Sequence, residues 1–224
     1  MLSARIIVVL LVLLLSSCKQ RTNRTEQEES AKVEKERIVK ILPKTLKEFG
    51  EFAGVIITDS TDIDQIIAFK KITQDGVISA IEMNQALSIY KKMMQPERQD
   101  SWPIFEIKNT NMAILPIKGI GYGGVIWAKV LVDRNTLEIN KIEFNHQAES
   151  EGYGAAITQS VFEEKFKGAK VDFEKNTFIL NRNVEKRIDD GVIIDVISGA
   201  TMTSEAALEM VNYGLRRYKN YLKG

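Results

Sequence analysis

The run Asp195-Val196-Ile197-Ser198-Gly199-Ala200-Thr201-Met202-Thr203 sets three hydroxyl side chains and one carboxylate around a Gly-Ala pair. Upstream, Val192, Ile193, Ile194, Val196 and Ile197 form a nearly continuous β-branched stretch after the turn residues Asp190-Gly191, which predicts a buried strand. Downstream, Ala207, Met210, Val211, Gly214, Tyr218, Tyr221 and Leu222 recur at helical spacing. Arg216, Arg217, Lys219 and Lys223 fill the other face and the last turns, where cations suit the helix dipole. A hydroxyl nucleophile therefore stands where a helix begins. Free N–H groups favour an anion there, and Gly199 and Ala200 remove the bulk that would hold a phosphate away. A plain capped helix start accounts for Ser, Gly, Ala and Thr equally, and Asp195 is also a common turn former.

A second group occupies residues 115–154. Gly119, Gly121 and Gly124 spell G-x-G-x-x-G, but a dinucleotide fingerprint needs a helix after it, and here the strand-like stretch 125–132 follows. A Rossmann reading is excluded. With a turn at Asp133-Arg134-Asn135 and a second strand over 137–144, the segment predicts a hairpin. The glycines imply either a close backbone approach or a conformational need, and the residues alone leave both open. After the hairpin comes His146-Gln147-Ala148-Glu149-Ser150-Glu151-Gly152-Tyr153-Gly154. His146 is the only histidine in the chain, and a lone histidine is ordinarily a surface or hydrogen-bonded residue rather than a catalyst or a ligand. Residues 158–166 predict a short helix capped by Gly168, with Val161, Phe162 and Phe166 facing the core.

The spacing of Asp195, Ser198, Gly199, Ala200 and Thr201 resembles the flavinylation motif of the FMN-binding domain family. That family includes the C subunit of the sodium-translocating NADH:quinone reductase and the G subunit of the Rnf electron-transport complex. The resemblance implies that Thr201 carries FMN through a phosphoester, installed by a separate magnesium-dependent flavin transferase that uses FAD. It makes Asp195 a recognition residue for that transferase, and Ser198, Gly199 and Ala200 the shapers of the phosphate turn. Thr203 and Ser204 then hydrogen-bond the phosphate or cap the helix. The loop from His146 is similar to the family's His-x-Glu-Thr-Pro-Gly-Leu-Gly, with one residue added before Glu149, and with Ser150, Glu151 and Tyr153 in place of Thr, Pro and Leu. By that likeness Glu149 and Tyr153 line the flavin, without the φ angle a proline would lock. The resemblance covers residues 115–213, with a glycine-rich lead-in closer to the Rnf branch.

At the N-terminus, Arg5 precedes an apolar stretch over 6–15 and then Leu15-Ser16-Ser17-Cys18, which resembles a bacterial lipobox. It implies a signal peptide over 1–17 and a lipidated Cys18 that anchors the chain on the periplasmic or extracytoplasmic side of a membrane. The apolar run is shorter than the roughly twenty residues of a spanning helix. Cys18 is the only cysteine, so the remainder has no disulfide, no thiolate cluster and no C-x-x-C-H haem site. With a single histidine as well, no metal centre is expected, and any electrons must travel through an organic cofactor. Lys and Arg number 31 against 30 Asp and Glu, so the charge balance gives no field for nucleic acid.

Residues 18–40 are nearly all polar and read as a tether, leaving 41–224 as one domain with its family-like core over about 115–213. Within it, 54–58 and 76–81 predict strands and 84–94 a helix before Pro96. The expected fold class is α+β, a twisted sheet with packed helices. The expected function is an electron relay through covalent FMN, as a subunit of an Rnf-like or NADH:quinone-reductase-like complex or of another extracytoplasmic redox chain. The runner-up is an exported lipoprotein that binds a ligand or partner without covalent flavin. No paired carboxylates or nucleophile triad mark a stand-alone enzyme. The lipobox reading predicts that Cys18→Ala abolishes acyl labelling and peptidase cleavage; fatty-acid labelling that persists in the mutant would rule it out.

Overall fold

The computed structural model describes residues 42–181 and 191–224; the expected signal peptide over 1–17, Cys18, the expected tether and Asp190 lie outside the described residues. The chain divides into two compact units, one of residues 1–42 with 58–60, the other of 43–57 with 61–224. Within the first, the Leu42 N–H donates to Asp59 Oδ1 at 3.2 Å, and the Thr58 and Ser60 hydroxyls share a 3.0 Å hydrogen bond.

The second unit is built on an antiparallel sheet of β1 (Ile67–Thr73), β2 (Ile78–Ala80), β3 (Ser101–Ile107), β4 (Met112–Ile120), β5 (Val125–Asp133) and β6 (Ile139–His146), ordered β2-β1-β3-β4-β5-β6. β3, β4 and β5 carry long runs of buried residues rather than a strict alternation, because helices cover both faces. On one face lie α1 (Lys44–Ala53) and α3 (Met83–Met93), where Phe49 and Tyr90 meet Phe105 edge to face; between them in the chain, the short α2 (Ile63–Ile66) runs straight into β1. On the other lie α5 (Thr201–Arg216) and α6 (Lys219–Lys223). The expected α+β class with packed helices is what forms.

α5 lies close on β4 because small residues meet large ones in both directions. A Cβ on Gly214 would come within 2.6 Å of Ile117 Cγ2, and one on Gly119 within 2.9 Å of Met210 Cβ. Beyond α5, the Tyr221 hydroxyl donates to Glu106 Oε2 at 2.7 Å, an oxygen also reached by Lys70 at 2.7 Å and Arg134 at 3.4 Å. Burial pushes the Glu106 carboxyl up, but Lys70, Tyr221 and Arg134 outweigh it and hold the pKa below the usual value.

The β3–β4 ladder contains a defect. Its register pairs Phe105 with Ile114 and Glu106 with Ala113 and goes no further; extended past Phe105, it would bring Pro103 opposite Pro116. Neither proline has an N–H, so the strands cannot bond there. The fully buried Tyr218 hydroxyl fills the gap, 2.6 Å from the Pro116 carbonyl and 3.2 Å from that of Pro103.

Several sequence expectations change at this level. Residues 54–58 form no strand, and only Ile78–Ala80 of 76–81 is strand, whereas the helix expected over 84–94 spans Met83–Met93. The hairpin forms as β5 and β6, turned by Asp133 Oδ1 accepting the Asn135 and Thr136 N–H groups. In place of one helix over 158–166, the chain makes 3-10 turns at Gly154–Thr158 and Glu164–Phe166 around the short α4 (Ser160–Glu163). Phe162 and Phe166 are buried against Phe144, while Val161, expected in the core, faces outward because the changed helix period rotates it away. The stretch 192–197 yields only β8 (Val192–Ile194), paired in parallel with β7 (Phe178–Leu180), and of its three residues only Ile194 is buried. A two-stranded sheet has one covered face, so a β-branched run does not guarantee burial.

Tyr218→Phe tests the bridge between the prolines. It leaves two carbonyls unsatisfied in the core, and urea unfolding should register a loss of about 1–3 kcal/mol; an unchanged midpoint would show that the hydroxyl contributes nothing.

Candidate functional site

β8 delivers the chain to Asp195, whose exposed carboxylate accepts from Asn181 Nδ2 at 2.9 Å and lies 3.9 Å from Lys165 Nζ. The chain then turns back on itself. The Ala200 N–H donates to the Ile197 carbonyl at 2.9 Å, and Gly199, third in the turn, has φ +72°, which a side chain rarely tolerates. Ser204 fixes this turn from inside the helix: its Oγ accepts from the Ile197 N–H at 3.1 Å and donates to the Ala200 carbonyl at 2.9 Å. Ala200 is the N-cap of α5 and has no side-chain oxygen to cap it. The N–H groups of Thr201, Met202 and Thr203 consequently lack partners among the described residues.

The loop of the second motif meets this helix start through one carboxylate. Glu149, 6% exposed, accepts from the Gly123 N–H at 2.7 Å through Oε1 and from the Thr203 hydroxyl at 2.8 Å through Oε2. His146 Nδ1 accepts from the Glu149 N–H at 3.2 Å, the hydrogen-bonding role expected of a lone histidine. Glycines surround the carboxylate for lack of room. A Cβ on Gly121 would lie 2.3 Å from Oε1, one on Gly154 2.1 Å from Oε2, and one on Gly123 2.2 Å from the Ala148 carbonyl oxygen. Close approach thus explains Gly121 and Gly123 of the glycine-rich turn, which the sequence left undecided, and Gly154 in the loop, while Gly124, at φ +135°, answers a conformational need.

Between these parts opens a cleft of about 360 Å³, lined by Tyr122, Glu149, Tyr153, Gly199, Thr201 and Met202 among others. Thr201, also in the lining, is exposed. Tyr122, Tyr153 and Met202 are exposed apolar walls, with the Tyr153 ring so near Gly199 that a Cβ there would stand 2.7 Å from Cδ1. The missing proline of the loop has a substitute. The Ser150 carbonyl accepts from both the Tyr153 and Ala155 N–H groups, and Gly152 takes φ +76°. Gly199, Ala200, Thr201, Glu149 and Tyr153 therefore come together around the cleft, with Ser198 one residue behind in the same turn. Asp195 stays outside the cleft lining, and the Thr203 hydroxyl is given to Glu149 rather than to the helix cap. Tyr122 and Met202 were assigned no role in the sequence; the signal was an aromatic inside a glycine-rich turn and an apolar residue between two threonines.

A bare helix start, an exposed hydroxyl and a glycine without bulk suit a phosphate ester, and aromatic walls suit a flat ring. Residues 121–216 match the model of the FMN-binding domain family. The C subunit of the Na(+)-translocating NADH-quinone reductase from Chlamydia trachomatis is 27% identical over 125 residues, covering 49% of this chain and 40% of that protein. Its counterpart from Neisseria meningitidis is 29% identical over 115 residues, covering 49% of this chain and 45% of that protein. The chain thus spans less than half the length of these curated relatives. Among solved structures, the C subunit of the same reductase from Parabacteroides distasonis superposes with TM-score 0.60 at 23% identity, over 77% of this chain and 88% of its own. NqrC from Shewanella oneidensis gives 0.59 at 18%, over 80% and 95%. These two show the same fold.

The crowding around Glu149 is directly testable. Gly123→Ala drives a Cβ into backbone and should cost about 3 kcal/mol, the upper range for overpacking. Gly152→Ala meets nothing within 4 Å and should cost only the roughly 1–2 kcal/mol of a left-handed side chain. Equal losses in urea unfolding would contradict the close approach.

Proposed function

We propose that Thr201 carries FMN through a phosphoester and that the chain relays electrons through it on the extracytoplasmic side of a membrane, held there by lipid on Cys18. The observation that carries this is the position of Thr201: exposed, at the uncapped start of α5, it lines a cleft that Tyr122 and Tyr153 also line. Bound there, FMN would supply one- and two-electron chemistry at a ring left chemically free by attachment through its phosphate. The chain's own residues bind and orient. The N–H groups of the first helical turn and the positive end of the dipole stabilise phosphate charge. Gly199 lets the Tyr153 ring lie close against the turn before Thr201, and Tyr122, Tyr153 and Met202 offer surfaces against which a ring packs and from which water is excluded.

Attachment requires a flavin transferase as partner. In that step the Thr201 oxygen forms a bond to the FMN phosphorus of FAD, the pyrophosphate bond breaks, AMP departs, and the hydroxyl proton passes to a base of the transferase. The exposed Asp195, clear of the cleft, is available for a second protein to recognise. The further partners are the other subunits of a membrane electron-transfer complex like those of the relatives, or separate redox proteins outside the cytoplasm.

Coexpression of variants with a flavin transferase, followed by denaturation and in-gel fluorescence, tests the assignment. Thr201→Ala should lose all covalent flavin with stability changed by no more than about 0.5 kcal/mol, since Thr201 makes no capping bond. Asp195→Ala should slow attachment without preventing it. Thr203→Ala should retain attachment but lose about 1–3 kcal/mol, because it leaves a Glu149 oxygen unpaired in the interior. Fluorescence in Thr201→Ala would overturn the site, and its absence in the wild type would favour binding without a covalent bond.

A further inference from the structure

A second cavity, of about 410 Å³, lies at the end of the sheet where β1 stops, β3 starts and β4 stops. It shares no lining residue with the cleft at Thr201. Three cations, Arg98, Lys118 and Arg217, line it against the single carboxylate of Glu97. The Lys118 ammonium donates to the main-chain carbonyls of Gln95 at 2.6 Å and Glu97 at 2.9 Å, which are neutral acceptors. The Arg217 guanidinium stacks 4.7 Å from the Trp102 ring centroid and makes no ion pair among the described residues. Burial disfavours its charge, and only Tyr218 acts in the other direction.

Two further atoms in the lining are incomplete. Trp102 is 6% exposed and its indole N–H has no hydrogen-bond partner among the described residues, and neither has the buried Gln99 Oε1. Buried polar groups are satisfied in nearly all native proteins, so an orphan donor and an orphan acceptor beside uncompensated cations point to something that completes them. An oxyanion answers the indole N–H and the guanidinium; a hydroxyl on the same molecule answers the glutamine oxygen.

We propose that this cavity binds a small hydroxylated oxyanion, a hydroxycarboxylate or hydrogen phosphate, held by Arg217, Lys118 and the Trp102 indole. The chain has two tryptophans, and Trp127 lines a different cavity with α1 and α3 residues, so it serves as an internal reference. Inorganic phosphate and malate, each against sodium chloride of equal ionic strength, are titrated into the full-length chain in detergent micelles while the indole N–H signals are followed by NMR. The Trp102 signal should shift saturably while that of Trp127 stays fixed, and Arg217→Gln should weaken the binding about tenfold, the loss expected for one charge-assisted hydrogen bond. Where Gln loosens the stack on Trp102, as a thermal melt would reveal, Arg217→Lys keeps the charge and the stem and should still bind more weakly than wild type. No saturable shift with either probe, equal movement of both indoles, or unchanged affinity in a folded Arg217 variant would overturn the proposal. Because none of these readouts involves flavin, the outcome is independent of whether Thr201 carries FMN.

Discussion

A single buried carboxylate sets the geometry of the site. A buried carboxylate needs hydrogen-bond partners, and Glu149 has one for each oxygen: the Gly123 N–H before β5 and the Thr203 hydroxyl in the first turn of α5. It therefore joins three segments that are distant in the chain. On a helix, residues two apart point roughly 200° away from each other. Anchoring Thr203 inward accordingly turns Thr201 outward, so the tied threonine positions the exposed one. The glycines at 121, 123 and 154 follow from the same constraint, since a carboxylate hemmed in by backbone leaves no volume for a Cβ.

The helix that presents Thr201 is itself held along its length. Gly214 and Gly119 let α5 settle onto β4, and the continuation through Tyr218 and Tyr221 is tied to the sheet by two hydroxyls that meet polar groups in or beside the strands. The two prolines illustrate how such a tie arises. A central sheet position without N–H groups is a liability, and here it becomes the acceptor site for the helix that crosses it. The start of α5, by contrast, is left uncapped by any side chain, with its turn braced from within by Ser204. Rigidity behind and unsatisfied donors in front are what a helix terminus needs to receive an anion.

The chemical junction was legible in the sequence because it is local: Ser198 to Thr201, a glycine that needs positive φ and a following helix all fall within a few residues. So were the hairpin, the helix after residue 83 and the core positions of the last helices, each written in short-range periodicity. Burial was less legible. Val161, Val192 and Ile193 have apolar side chains but face outward, because whether a face is covered depends on what packs against it. The roles of Glu149 and Thr203 were also hidden, since their bond spans 54 residues of sequence. By itself the sequence determined where the Ser-Gly-Ala-Thr turn, the hairpin and the helices after residues 83 and 200 fall, since these depend on near neighbours and dihedral preferences. Only the tertiary structure decided which hydroxyl is free and which is tied, because that follows from a carboxylate brought in from another part of the chain.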